Sequence, residues 1–290
     1  MALASVTALV AAATYAVATA LLHRSAGLVG ATTGRAGAGV GRFVAGNVRH
    51  PLWVAGMLAE AVGFGLHALA LHAGPITLVQ PLLVTGLVFA LPVRQLIERR
   101  RPEPAEIAWA ALLAAGLATF LLSATPREGP ANVPDALPAL VASVLTGTGM
   151  LASGVIGLRA RGRRAAAVLG FGAGLGFAAV AGLLKAVTDR LGAGGGLLTY
   201  WPLYALVPAG LGGLLLNQIA FRTAPLRHSL PTLSTVDPIV SVIIGAVVFD
   251  EPFRHSPPAL GVELVGLVAI IVPIVALTRR YPEGSARPGG

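Results

Sequence analysis

The chain has 290 residues, 55% of them hydrophobic and 11% charged, with no cysteine and a formal net charge of +9. Soluble domains carry about 25% charged residues, so this composition excludes an ordinary soluble enzyme. A mean hydropathy of +0.79 excludes intrinsic disorder, which needs low hydrophobicity.

Without cysteine there are no disulfide frameworks, thiolate zinc sites or cysteine nucleophiles. A pI near 11.3 would suit a nucleic-acid partner in a soluble protein. In a membrane protein the same excess is loop arginine that sets orientation, so no nucleic acid is expected.

Apolar runs of about 20 residues are span candidates, because a helix of that length crosses about 30 Å of hydrocarbon. Nine such runs follow in chain order: 2–22, 52–72, 76–97, 105–124, 136–157, 165–187, 200–221, 229–249 and 258–278. They predict an all-α, polytopic helix bundle forming one integral-membrane domain over 1–280, with a short cytoplasmic tail over 281–290. The first run has no basic residue before it and is followed by His23 and Arg24. It therefore reads as an uncleaved anchor with its N-terminus outside, not as a signal peptide.

Segment 26–48 is Gly/Ala-rich and carries Arg35 and Arg42. Two central arginines would each cost about 2.5–3.5 kcal/mol in a span. The segment reads as a cytoplasmic loop or surface helix, with a tenth span as the alternative. On the nine-span topology, seventeen of the 21 Lys/Arg fall on one side. Under the positive-inside rule this predicts a cell-membrane protein with its N-terminus outside and its C-terminus in the cytoplasm.

The polar residues inside the runs are few, and ionisable groups at membrane depth point to function. Glu60 lies in the second run, with His67 seven positions on and therefore on the same helical face. Gln80-Pro81 falls in the third run, with Thr77 on the same face. Glu106 stands at the start of the fourth, where a carboxylate suits the helix dipole. Lys185 lies near the end of the sixth and is expected to snorkel to the interface. Asn217 and Gln218 come late in the seventh. Asp237-Pro238 lies in the eighth, flanked on its face by Ser234 and Ser241. The proline removes a backbone donor, which predicts a discontinuous helix of the kind that forms ion and substrate sites in transporters. Glu263 lies in the ninth run. Glu60 and Asp237 are the tentative metal ligands, since Mg²⁺ is usually held by one or two carboxylates plus waters.

An offset of 157 residues superposes these positions. Glu60 falls on Asn217, Gln80-Pro81 on Asp237-Pro238, and Glu106 on Glu263. The matched blocks begin at the second and seventh runs, five spans apart, and an odd offset would make the copies face opposite ways, with repeat one over about 1–125 and repeat two over about 136–280. Inverted repeats place a binding site near the midplane. The run Gly170–Gly176 lacks the preceding strand of a nucleotide loop. Its Gly170/Gly174 and Gly172/Gly176 spacings predict close helix packing instead. No Ser-His-Asp grouping, HExxH or Walker motif is present, and no enzymatic activity is expected.

Three stretches carry a family resemblance: TrpValAlaGly (53–56) leading to ProIleThrLeuValGlnProLeu (75–82), GlyLeuLeuLys (182–185), and AsnGlnIleAlaPheArgThrAlaPro (217–225) through ThrValAspProIleValSerValIleIle (235–244) to PheAspGluPro (249–252). The chain resembles the drug/metabolite transporter superfamily, in the nine-helix branch that includes the NIPA-type magnesium transporters. The resemblance implies a two-repeat bundle that moves a small solute or divalent cation by alternating access, with Mg²⁺ as a cargo or H⁺ as a coupling ion and no resident cofactor. The expected partners are membrane lipid and a small-molecule or cation substrate, with a homodimer among the oligomeric states left open. The alternatives are a non-transporting or lipid-handling protein whose buried acids are structural, and a flippase for lipid-linked precursors, which needs a groove open to the bilayer.

Overall fold

The computed structural model describes residues 1–33, 50–98, 101, 103–124, 129, 136–223, 228–251 and 257–279. These residues form α1 (Ala2–Thr33), α2 (Pro51–Ala73), α3 (Ile76–Leu83), α4 (Gly86–Glu98), α5 (Pro104–Ala124), α6 (Ala136–Arg159), α7 (Gly162–Gly192), α8 (Trp201–Thr223), α9 (Leu230–Val248) and α10 (Pro257–Arg279). No strand occurs among them. Eight segments are long and apolar enough to cross a membrane, with α3 and the first part of α4 counted as one. In α10 the apolar stretch among the described residues is the shorter Val265–Thr278. This is a multi-pass membrane protein.

Its outer surface agrees with that environment. Leu137, Leu145, Leu151 and Leu158 are each at least 65% exposed along α6. Apolar surface on this scale would be an aggregation liability in water and is ordinary against lipid.

Between helices, lipid offers no hydrophobic driving force, so small residues that let backbones approach are favoured. α1 turns Ala4, Ala8, Ala11 and Ala12 inward and packs along α2. α7 is the most buried span and meets α6, α8 and α9. Its glycines divide the work as their spacing predicts. A Cβ on Gly170 would stand 2.6 Å from the Ser229 carbonyl oxygen and one on Gly174 2.9 Å from Val236 Cβ, both at α9. One on Gly172 would stand 2.7 Å from Ser153 Cβ on α6, and one on Gly176 2.8 Å from Gly213 Cα on α8. α5 and α10 pair along their lengths, with Gly116 against Ala269 and Gly266 against Phe120.

The first apolar span is Ala2–Leu22, as expected, and helix α1 continues past it to Thr33, so the beginning of segment 26–48 is helical; residues 34–48 and the tail 281–290 lie outside the described residues. Two expectations need correction. The run 76–97 is not one helix. Pro81 removes a donor, the Val84 and Thr85 amides turn to the Pro81 and Leu82 carbonyls three residues back (3.1 and 3.0 Å), and the Thr85 hydroxyl donates to the Leu82 carbonyl at 2.6 Å. This tightening separates α3 from α4. Pro238, by contrast, sits inside an α9 that runs unbroken from Leu230 to Val248.

Candidate functional site

α1, α2, α3 and α9 bring the central polar residues together. Tyr15 of α1 sets its ring against α2 at Gly63, where a Cβ would lie 2.9 Å from the ring. Glycine is needed there because any larger side chain would displace the phenol. The Tyr15 ring meets the His67 imidazole edge-on, with centroids 6.4 Å apart. Its hydroxyl lies in Coulombic range of both the Glu60 and the Asp237 carboxyls. The two acids therefore act electrostatically on one phenol from different halves of the sequence.

His67 is buried and pairs with Gln80 rather than Glu60, the Gln80 Nε2 to His67 Nε2 distance being 3.0 Å. Ser241 donates to Asp237 Oδ1 at 3.3 Å. Glu60, half-buried, has no hydrogen bond or ion pair among the described residues. Thr235 Oγ1, two residues before Asp237, Asn217 Oδ1 on α8 and Thr77 Oγ1 on α3 are buried and also lack a partner among the described residues.

The remaining candidates divide. Ser234 is half-buried one turn before Asp237, and Gln218 is exposed on α8. Glu263 falls outside the described side chains. Glu106 has the structural place its position predicts: its Oε2 accepts from the Glu103 amide at 2.8 Å, half of a capping box at the start of α5. Among the described residues no three His, Asp or Glu side chains form a metal-binding group. Glu60 and Asp237 could together offer a cation at most two carboxyls, a set that suits a hydrated ion. A separate recess lined by Ala142, Gly182, Ile244 and Phe249 holds about 20 Å³, room for about one water and no solute.

A second polar cluster lies at the end of the bundle where α2 stops. Lys185 is 6% exposed, which corrects the snorkelling expectation. Its Nζ donates to the Leu71 carbonyl at 3.2 Å and the Gly74 carbonyl at 3.4 Å, pairs with Asp189 at 3.1 Å and sits 5.5 Å from the centre of the Phe249 ring. A cation there meets the negative end of α2. Glu251, just beyond α9, does the reverse at the start of α3: Oε1 accepts from the Ile76 amide at 2.7 Å and Oε2 from the Thr77 amide at 2.8 Å. Burial pushes the Glu251 carboxyl up from its usual range, opposed by its hydrogen bonds to Thr77 and Ile76 and by the Lys185 charge.

Sequence reasoning missed Tyr15 and Glu251. The signal for Tyr15 is a single phenol in an alanine-rich span. That for Glu251 is an acid directly after an apolar helix and before Pro252.

No family model matches the chain, and no solved structure matches it. Over 243 residues the chain is 31% identical to an uncharacterized protein of Corynebacterium glutamicum, with 82% of this chain and 83% of that protein covered. The chain belongs to that protein's family.

Proposed function

We propose that the protein is a secondary transporter, built from two inverted-topology repeats, that moves a small solute or a divalent cation such as Mg²⁺ by alternating access. The observation that carries this reading is that the Tyr15 phenol lies within electrostatic reach of both Glu60 and Asp237, inside a bundle of apolar spans. Ionisable groups are expensive at that depth and are retained where they bind or relay something. Among the described residues Glu60 has no hydrogen bond or ion pair, which leaves its carboxyl available to cargo or to a coupling proton.

The repeat reading draws support from the packing. α1 pairs with α2 as α7 pairs with α8, α4 lies on α1 as α9 lies on α7, and α5 touches α4 as α10 touches α9. α6 is the unmatched helix between the two sets, which supplies the change of direction that inversion requires. The residues superposed by the 157-residue offset then fall on corresponding helices, Glu60 on α2 with Asn217 on α8, and Gln80 on α3 with Asp237 on α9. A site near the midplane between two such sets is where inverted-repeat transporters hold cargo. On this reading the cell membrane is its location, with the N-terminus outside.

The test is flux in proteoliposomes with Mg²⁺, other cations and a metabolite panel. Glu60→Gln and Asp237→Asn should each remove flux while the proteins still reach the membrane. Undiminished transport by both variants contradicts the assignment.

A further inference from the structure

The Lys185–Glu251 cluster makes contacts that neither half could make alone. Lys185 and Asp189 come from α7, and Glu251 follows α9; their backbone partners Leu71, Gly74, Ile76 and Thr77 all belong to the α2–α3 junction. The packing around them is as close as the hydrogen bonding. A Cβ on Gly245 of α9 would stand 2.7 Å from both Thr77 Cγ2 and Glu251 Oε2, and one on Gly182 of α7 would stand 2.8 Å from Ile244 Cγ2. Phe249 beneath the ammonium is 2% exposed.

This cluster lies within about two turns of two residues of the candidate site. Gln80 lies four residues past Ile76, about one turn or 6 Å along α3, and Asp237 lies eight residues before Gly245, about 12 Å along α9. The junction itself is a helix end, an extended Gly74 and a helix start around Pro75. Element-terminal residues of this kind absorb the dihedral changes of domain opening. The bonds that hold it are also of an exchangeable kind. An ammonium, a carboxylate and backbone groups regain water when they separate, whereas an apolar seam would have to expose its whole area.

We infer that Lys185 and Glu251 form a latch, holding the second half of the molecule onto the α2–α3 junction of the first and keeping this end of the central site shut. Opening toward that side requires Glu251 to leave the α3 N-terminus and Lys185 to leave the α2 C-terminus. The structure is then the state closed at this end. The inference rests on the alternating-access reading for its purpose, but its geometry can be tested without any cargo.

The natural chain has no cysteine, so spin labels can be placed at will. Leu69→Cys on α2 and Val247→Cys on α9 are 44% and 61% exposed and stand on opposite sides of the latch. In the full-length protein in lipid nanodiscs, pulsed electron–electron resonance between them should give one narrow distance distribution. Glu251→Gln and Lys185→Met should each add a second population at longer distance. Glu251→Asp, which keeps the charge, should restore most of the parent distribution, and Glu60→Gln should leave it as it is. An unchanged single distribution in both Glu251→Gln and Lys185→Met overturns the latch. If Glu251→Gln does not fold, Lys185→Met alone decides. A latch that fails while Glu60→Gln abolishes flux leaves the transport reading standing. A latch that opens as described while Glu60→Gln and Asp237→Asn transport normally rejects the site and keeps the latch.

Discussion

The two polar clusters of this molecule treat charge in opposite ways. At the α2–α3 junction, Lys185 has two carbonyls, a carboxylate and a ring face, and Glu251 has two backbone amides. About two turns away along α9, Asp237 has one long hydrogen bond, and at least three turns away along α2, Glu60 has no bonded partner among the described residues. Leaving a buried polar group unmade costs about 1–3 kcal/mol, and each cluster carries one such hydroxyl, Thr77 Oγ1 at the junction and Thr235 Oγ1 near Asp237. The clusters differ in their charged groups, which are well bonded at the junction and sparsely bonded at Glu60 and Asp237.

Five substitutions test that contrast, in order of decreasing effect. Glu60→Gln and Asp237→Asn should bring flux to background in proteoliposomes while their melting temperatures stay close to the parent's, because neither removes a saturated bond. Glu251→Ala should show the reverse emphasis. It strands two amides at the start of α3, and unfolding in detergent should report a loss of about 3 kcal/mol, at about 1–3 kcal/mol per stranded donor. Gly245→Ala forces a methyl against Thr77 and Glu251. Overpacking of this kind costs about 1–3 kcal/mol, and the same unfolding assay should place the variant between Glu251→Ala and the parent. Ser241→Ala removes only the 3.3 Å bond to Asp237. Its stability should move by about 0.5 kcal/mol or less, the low end for one hydrogen bond. A Ser241→Ala loss as large as that of Glu251→Ala would erase the distinction between the clusters.

Much of the bundle is readable from the chain because the membrane imposes one strong rule: about 20 apolar residues per span. Hydropathy locates α2, α6 and α8 within a few residues. It does not see where a helix breaks, because that depends on which backbone donors are lost and what replaces them. Pro81 and Pro238 look alike in sequence, yet only the first is followed by a break. The carboxylates of Glu60 and Asp237 stand out because ionisable residues are rare in apolar runs. Tyr15 does not, since a phenol is compatible with lipid interfaces and cores alike, and only the fold shows that Gly63 makes room for its ring. Lys185 reads as a snorkelling residue because its partners are backbone carbonyls more than a hundred positions away, and a backbone carbonyl carries no sequence signal.

The most direct test of the central claim, that Glu60 and Asp237 share one binding site at Tyr15, is a thermal melt of the purified protein against MgCl₂, other cations and a metabolite panel. A species that binds only the folded form raises its apparent stability by mass action. The account predicts that at least one of these raises the melting temperature of the parent and that the rise disappears in Glu60→Gln and in Asp237→Asn alike. A rise that survives in either variant, undiminished, contradicts it.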